Sequence, residues 1–386
     1  MLRNTTISAK VLVLTGFLLS FLIYYLYAHS VTIVYGVVEL LIAAVCYIGC
    51  LRWHCLVDGN SLVLWCGTVV LTWCSGLFSG DFKSTLLITV PLLMPLYIST
   101  LNITYKNWSD FAPATIAAVA ITYLMVGVGA FGEINSNTAG FLGFMGVSIG
   151  ALWIKNTKHK LIPAAWVLFG FYYAISSGSR NVAIVGLIWL VLIFLPKSVF
   201  RKPLVYYSIC VAVLLYSVIA VDVLKWFFSK PKIQQFLEEY TARYSDKAWE
   251  MSTRIEFLEM LQRFIGRRSL SVQMFGTGTF MFHGHNLFFQ CVLNYGYIGT
   301  VLIYAGFIRI FRVAYYLVAK KDDVTLGCVV ILWGMFLLQG ADVFMLGHET
   351  YAVVPQVIMG IVLNRHGVYR VENEAKNRIE LQLQTM

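Results

Sequence analysis

Charge is scarce in this chain. Asp, Glu, Lys and Arg supply 12% of its 386 residues, against 59% for apolar ones. A soluble domain carries about 25% charged residues, so a water-soluble globular fold is excluded. Cys-x-x-Cys pairs are absent, as is any Cys/His cluster with zinc spacing. The eight cysteines are scattered, mostly inside apolar runs (Cys46, Cys50, Cys66, Cys74, Cys210, Cys291, Cys328). They read as small buried apolar residues. There is no internal repeat to use and no low-complexity tract. A cleavable signal peptide is also missing by this reading. The first apolar run, from Val11 to Ala28, has no small-residue cleavage site and reads as a first span.

What is present is a series of apolar runs of about 18–25 residues, the length that crosses a bilayer core as a helix. The fold class is therefore an all-α polytopic integral membrane protein, with about twelve spans. They are expected near 11–28, 31–51, 61–80, 84–104, 111–131, 137–154, 161–176, 182–196, 204–228, 297–318, 324–346 and 350–364.

The net charge of +10 reports orientation, not a nucleic-acid partner. Arg3, Lys10, Arg52, Lys106, Lys155, Lys158, Lys160, Lys197, Arg201, Lys202, Lys320, Lys321 and Arg365 fall on one side if the spans alternate. The opposite short loops carry little positive charge. The positive-inside rule then puts both termini in the cytoplasm, with 367–386 as a polar tail expected to be loose from Glu372 onward. Among the short loops only Lys83 and Arg180 stand on the other side.

One loop breaks the pattern. Residues 229–285 form the single sizeable soluble stretch, and it falls on the outer face. A loop this long in a compact protein is usually functional. Within it TRIEFLEMLQRFI, 253–265, predicts an amphipathic helix. Thr253 and Glu256 have capping-box spacing, and Phe257, Leu258, Leu261, Phe264 and Ile265 share one face. A second helix is expected within 231–250. Gly276 and Gly278 in FGTGTF predict a turn, after which the chain re-enters the membrane through HNLFFQCVLNYGYIG, 285–299.

Three features gather on the outer face. They are Arg180 in the turn SSGSRN, Arg254 at the predicted start of the loop helix, and His285 with Asn286 at the lip of an apolar run. Each has a plainer reading. Arg180 can snorkel to headgroups, Arg254 can be a solvated helix-face charge, and His285 a satisfied structural histidine. His283 is a weaker candidate, and Arg267-Arg268 read as headgroup contacts. Taken together, two arginines and a histidine suit a pyrophosphate held at the lipid surface. A guanidinium fork binds phosphate oxygens through charge-assisted bonds, and a neutral imidazole accepts a proton near neutral pH. Arginines can stabilise a departing pyrophosphate without a metal. In keeping with that, the outer segments hold no Asp-x-Asp-type pair, and Asp322-Asp323 falls on the cytoplasmic side. Asp222, Asp342, His348 and Glu349 stand near outer helix ends. They read either as part of the same cavity or as groups paired with backbone or solvent.

At these residues the sequence resembles the O-antigen polymerase and O-antigen ligase superfamily of bacterial envelope enzymes. The resemblance rests on Gly178-Ser179-Arg180, on Arg254, and on Gly276-Thr277-Gly278 leading to His285-Asn286 and on to Tyr295-Gly296-Tyr297-Ile298-Gly299. It runs coarsely from about residue 160 to 350, and the order of many spans, one large outer loop and a few closing spans agrees with it. The resemblance implies a GT-C-type glycosyltransferase of the bacterial inner membrane that uses no cofactor. Its implied partners are donor and acceptor glycans on undecaprenyl pyrophosphate, membrane lipids and a chain-length regulator. Arg180 and Arg254 would hold the pyrophosphate, and His285 would sit at the reaction centre. The second histidine, His283, departs from the pattern. Polymerase is the favoured activity and transfer to lipid A core the alternative. A lipid-linked sugar flippase and an envelope scaffold are the rivals from other classes.

Overall fold

Apolar runs of bilayer length become helices because no water is present to take their backbone N–H and C=O groups. The computed structural model describes residues 6–51, 58–104, 136–176, 180–231, 235, 249–279, 286–338 and 353–384. The helices are α1 (Ala9–Ala28), α2 (Thr32–Cys50), α3 (Gly59–Ser79), α4 (Phe82–Ser99), α5 (Ser136–Asn156), α6 (Leu161–Ser176), α7 (Arg180–Phe194) and α8 (Lys197–Phe200). After them come α9 (Pro203–Phe228), α10 (Trp249–Gly266), α11 (Leu270–Phe275), α12 (Leu287–Ala319), α13 (Asp323–Leu338) and α14 (Val353–Gln384). Two short strands, β1 (Ile7–Ser8) and β2 (Ile103–Thr104), pair in parallel with Ile7 opposite Ile103. Helices α2, α3, α4 and α12 are long and apolar enough to cross a membrane, and the other predicted spans among the described residues coincide with helices. The predicted span 111–131 lies outside the described residues, as does the end of the span predicted over 324–346.

The surface of α2 shows which solvent it faces. Its outward residues Ile33, Val37, Leu41, Val45 and Ile48 are exposed, while Glu39, Ala43, Cys46 and Gly49 are buried. A helix in water has the reverse arrangement. Apolar residues outside and small or polar ones inside are the pattern of packing within lipid. The chain is an all-α membrane protein. Helix α13 is buried from Thr325 to Leu338 and forms the middle of the bundle, against α5, α7, α9, α12 and α14.

Side-chain caps set several helix starts. Asp58 accepts from the Ser61 N–H at 3.3 Å, Asp81 from the Ser84 N–H at 3.1 Å, and Asn286 from the Phe289 N–H at 3.2 Å. At one end of the bundle, charged pairs tie the loops together. Arg309 donates from Nε and Nη2 to Asp58 Oδ2 at 3.1 and 2.7 Å. Arg365 meets Asp322 at 2.8 Å, and Lys197 meets Asp323 at 2.6 Å.

Two expectations change. The loop helix α10 begins at Trp249, not Thr253. Nothing in Trp-Glu-Met-Ser resists helix, so Thr253 is interior to α10 and not at its start, and Arg254 lies in the second turn. The tail from Glu372 is helical through Gln384 as the continuation of α14. It runs Glu-Asn-Glu-Ala-Lys-Asn-Arg-Ile-Glu-Leu without a glycine or proline to stop the helix.

Candidate functional site

The FGTGTF turn and the start of α12 flank the segment that carries His283 and His285. The turn is built by its glycines. Gly276 has φ 74° and Gly278 φ 66°, in the left-handed region that favours glycine. Beyond φ, the space is closed. A Cβ on Gly278 would collide with Gly76 N and Thr72 O of α3, and one on Gly276 with Gly296 N and Asn294 O of α12. Hydrogen bonds then fix the turn to three helices. Thr85 Oγ1 of α4 donates to Gly278 O at 2.7 Å, Ser75 Oγ of α3 donates to Phe275 O at 2.9 Å, and Gly278 N donates to Asn294 O at 3.1 Å.

Helix α12 is two helices across a break. Gly296 has φ 67° and ψ −179°, which no helix contains. The stretch expected to lead back into the membrane is thus a short helix, Leu287 to Tyr295, set at its own angle before the longer run to Ala319. Its far end is held by Tyr295, whose hydroxyl donates to Ile88 O of α4 at 2.6 Å. Its start is held by Asn286, whose Nδ2 donates to Ser217 O of α9 at 2.9 Å. Ser217 Oγ in turn lies 2.7 Å from Tyr304 Oη. The amphipathic helix α10 packs over this short helix as its apolar stripe predicts. Leu261 and Ile265 are buried against Val292 and Leu293, with Phe257, Phe264, Phe288 and Phe289 around them.

The sequence-predicted residues fall out as follows. Asn286 is fully buried and caps α12. Glu256 is exposed on α10. Arg254 belongs to α10 and Arg180 is the first residue of α7, while their side chains lie outside the description. His283 and His285, with residues 280–285, lie outside the described residues, as do Asp342, His348 and Glu349. What is described is both flanks of the histidine segment, Thr279 and Asn286, each buried. Helix α10 packs on α9 and α12, so Arg254's helix stands beside that of Asn286. Arg180 opens a helix whose described neighbours are α5, α6 and α13.

Three polar residues escaped the sequence reading. Gln290 and Asn294 are both fully buried on the same strip of α12 as Asn286. Their spacing of four, Asn-x-x-x-Gln-x-x-x-Asn, is the signal that could have found them. Glu39 is a carboxylate buried inside α2, and a lone acid within an apolar run is a functional hypothesis at membrane depth. Among the described residues no three His, Cys, Asp or Glu side chains are grouped to hold a metal ion. No protein-family model matches the chain, and no curated protein matches it.

Proposed function

We propose that the chain is a metal-independent polysaccharide polymerase of the bacterial inner membrane, with about twelve spans in a GT-C-like arrangement. Both termini would be cytoplasmic. One observation carries the reading. The turn Gly276-Thr277-Gly278 is wedged among α3, α4 and α12, and Asn286 is tied to α9, so both flanks of the histidine segment are held at the end of the bundle opposite the ion pairs. That is where a substrate with its lipid in the bilayer and its sugar outside must be met.

In this reaction an acceptor hydroxyl gives its proton to His285 and its oxygen bonds to the anomeric carbon of the donor glycan. The bond from that carbon to the pyrophosphate oxygen breaks, and the electron pair leaves with undecaprenyl pyrophosphate. Arg180 and Arg254 take up the growing negative charge. Helix α10 covers the site. Because Arg254 sits in the second turn and not at a helix start, its own guanidinium has to do the binding, with little help from the helix N–H groups.

The test is glycan banding in a deletion strain complemented with wild type, Arg180→Ala, Arg254→Ala or His285→Ala at matched expression. The expected result is a single repeat unit on the lipid core in each variant, a loss of polymer of about 100-fold or more. Long polymer left on the carrier, with none on lipid A, would make the enzyme a ligase. A wild-type ladder in all three variants would remove these residues from the site. Movement of substrate across liposomes without new glycosidic bonds would make the protein a flippase.

A further inference from the structure

A groove on the lipid side of the bundle has room for a ligand. It lies between α1 and α2, over α4 and the start of α14, and its volume is about 310 Å³. Small-molecule sites begin at about 300 Å³. Leu12 and Leu19 of α1, Ile42 and Cys46 of α2, and Tyr97 and Ile98 of α4 line it. It is closed below where α1 crosses α14, so tightly that a Cβ on Gly16 would come within 3.2 Å of Val357 Cγ2. Among the described residues no charged side chain lines it.

Its depth follows from α4. Thr85, near the start of that helix, holds the glycine turn. Ile98 lies roughly 20 Å further along the same helix. On α2 the lining runs from Leu41 to Cys46, in the second half of the helix. The groove is therefore in the half of the bilayer away from the turn.

Chemistry, size and access narrow the occupant. A sugar, a phosphate or an open peptide backbone would be left unpaired against this lining. Water does not settle in an apolar cavity of this kind. A helix roughly 10 Å across would use up the volume in less than one turn, so a helix of this chain or of a second copy is too wide. A hydrocarbon chain is about one carbon–carbon contact wide, roughly 4 Å, and can lie along it. The rim residues Thr15, Leu41 and Val45 are exposed. Leu41 and Val45 stand on the same outward face of α2 as Ile33, Val37 and Ile48, so a chain enters sideways without leaving the bilayer. The near leaflet supplies acyl chains at that depth directly. A polyprenyl tail anchored at the turn would have to run down the bundle to reach it.

We propose that this groove binds one acyl chain of a phospholipid from the leaflet opposite the glycine turn. The chain fills the gap between α1 and α2 and holds both against α4. The site does not depend on the activity proposed above.

The experiment uses the purified full chain in nanodiscs of phosphatidylethanolamine and phosphatidylglycerol, with a small share of phospholipid carrying a diazirine on its acyl chain. After irradiation the labelled residues are mapped by mass spectrometry. Leu12, Ile42 and Tyr97 are only half-buried, whereas Val211 and Leu215 of α9 lie open to lipid. Passing lipid would label the α9 pair more. A bound chain is expected to reverse this, with label on the groove residues about tenfold above that on α9. Ile42→Trp fills the groove from α2 and should cut the groove label about tenfold. Leu12→Trp fills it from α1 and carries the test if the first variant folds poorly. Ile33→Trp, on α2 but outside the groove, should leave the label unchanged. Label that follows exposure alone, label that persists in both filling variants, or an equal fall in Ile33→Trp overturns the proposal. So does loss of the groove label on adding equimolar undecaprenyl phosphate, which assigns the groove to a polyprenyl tail. A dimer in native mass spectra that Ile42→Trp abolishes gives the groove to a second copy and overturns it equally.

Discussion

Asp58 gathers three donors at the head of α3: the Ser61 N–H, the Ser61 hydroxyl at 2.6 Å and the Arg309 guanidinium. Burial alone would raise its pKa. The bonds from Ser61 and Arg309 outweigh burial and hold the carboxyl below its ordinary range. The sign for stability follows. The contribution is fully present above the ordinary value of about 3.9 and is lost as pH falls through the folded value. The side chains of Asp58 and Arg309 are only 10% and 21% exposed, so surface screening does little to weaken the pair. Removing Arg309 strands a desolvated carboxylate. Arg309→Ala should therefore lower unfolding stability by about 3 kcal/mol, the low end of the range for a broken buried pair because water still reaches it. Asp58→Asn should cost less, since asparagine still caps α3 and the arginine can turn to water. Thermal unfolding in detergent measures both, and an Arg309→Ala protein that melts with the wild type would show the pair to be idle. Nothing in the sequence singles out Arg309. Its partner lies 251 residues away, and no local pattern couples them.

The glycine turn is an element whose meaning depends on its neighbours. FGTGTF announces a turn by composition, and the turn is there. Unannounced was its insertion between α3 and α12, because Gly76 and Gly296 are ordinary glycines until a third backbone approaches them. The same holds for the break in α12. The sequence reading starts a span at 297 and marks no helix on the other side of Gly296, and only the crossing at Gly276 requires Gly296 to leave helical geometry. These contacts allow a paired comparison. Gly278→Ala combines a left-handed φ with a clash against α3 backbone, neither of which a side-chain rotation relieves. It should destabilise by about 2 kcal/mol or more and abolish polymer. Gly266 ends α10 with no atom within 4 Å of an added Cβ, so Gly266→Ala should be neutral or stabilising by about 1 kcal/mol. Equal melting temperatures and equal glycan ladders for the two variants would show that the close crossing is not required.

At the scale of the molecule, the sequence's apolar periodicity survives best, since span length answers to the bilayer and not to any one partner. The apolar stripe of α10 was legible for the same reason: it answers to a surface. Of the candidate site the sequence offered a list of residues, and of these the side chains of Asn286 and Glu256 are described. Its assembly was not legible, because buried amides and glycine crossings depend on contacts between distant segments. The two ends of the bundle now carry a prediction of their own. Helix α3 leads from Asp58 to Gly76, where Gly278 crosses it, a separation of roughly 27 Å and close to the thickness of a bilayer core. At the Asp58 end lie Arg309, Arg365 with Asp322, Lys197 with Asp323, and Lys155, which donates to Leu195 O at 2.6 Å. At the Gly278 end the turn follows directly on α11. The positive-inside rule assigns the first end to the cytoplasm, so α11 should face outward. With the eight native cysteines replaced by serine, Ser271→Cys on α11, whose residue is exposed, should react with a membrane-impermeant maleimide in intact spheroplasts. Lys320→Cys, at the end of α12 and also exposed, should react only after lysis. The opposite pattern would invert the protein in the membrane and put the histidine segment on the cytoplasmic side. A polymerase working on the outer leaflet would then be ruled out whatever its residues resemble.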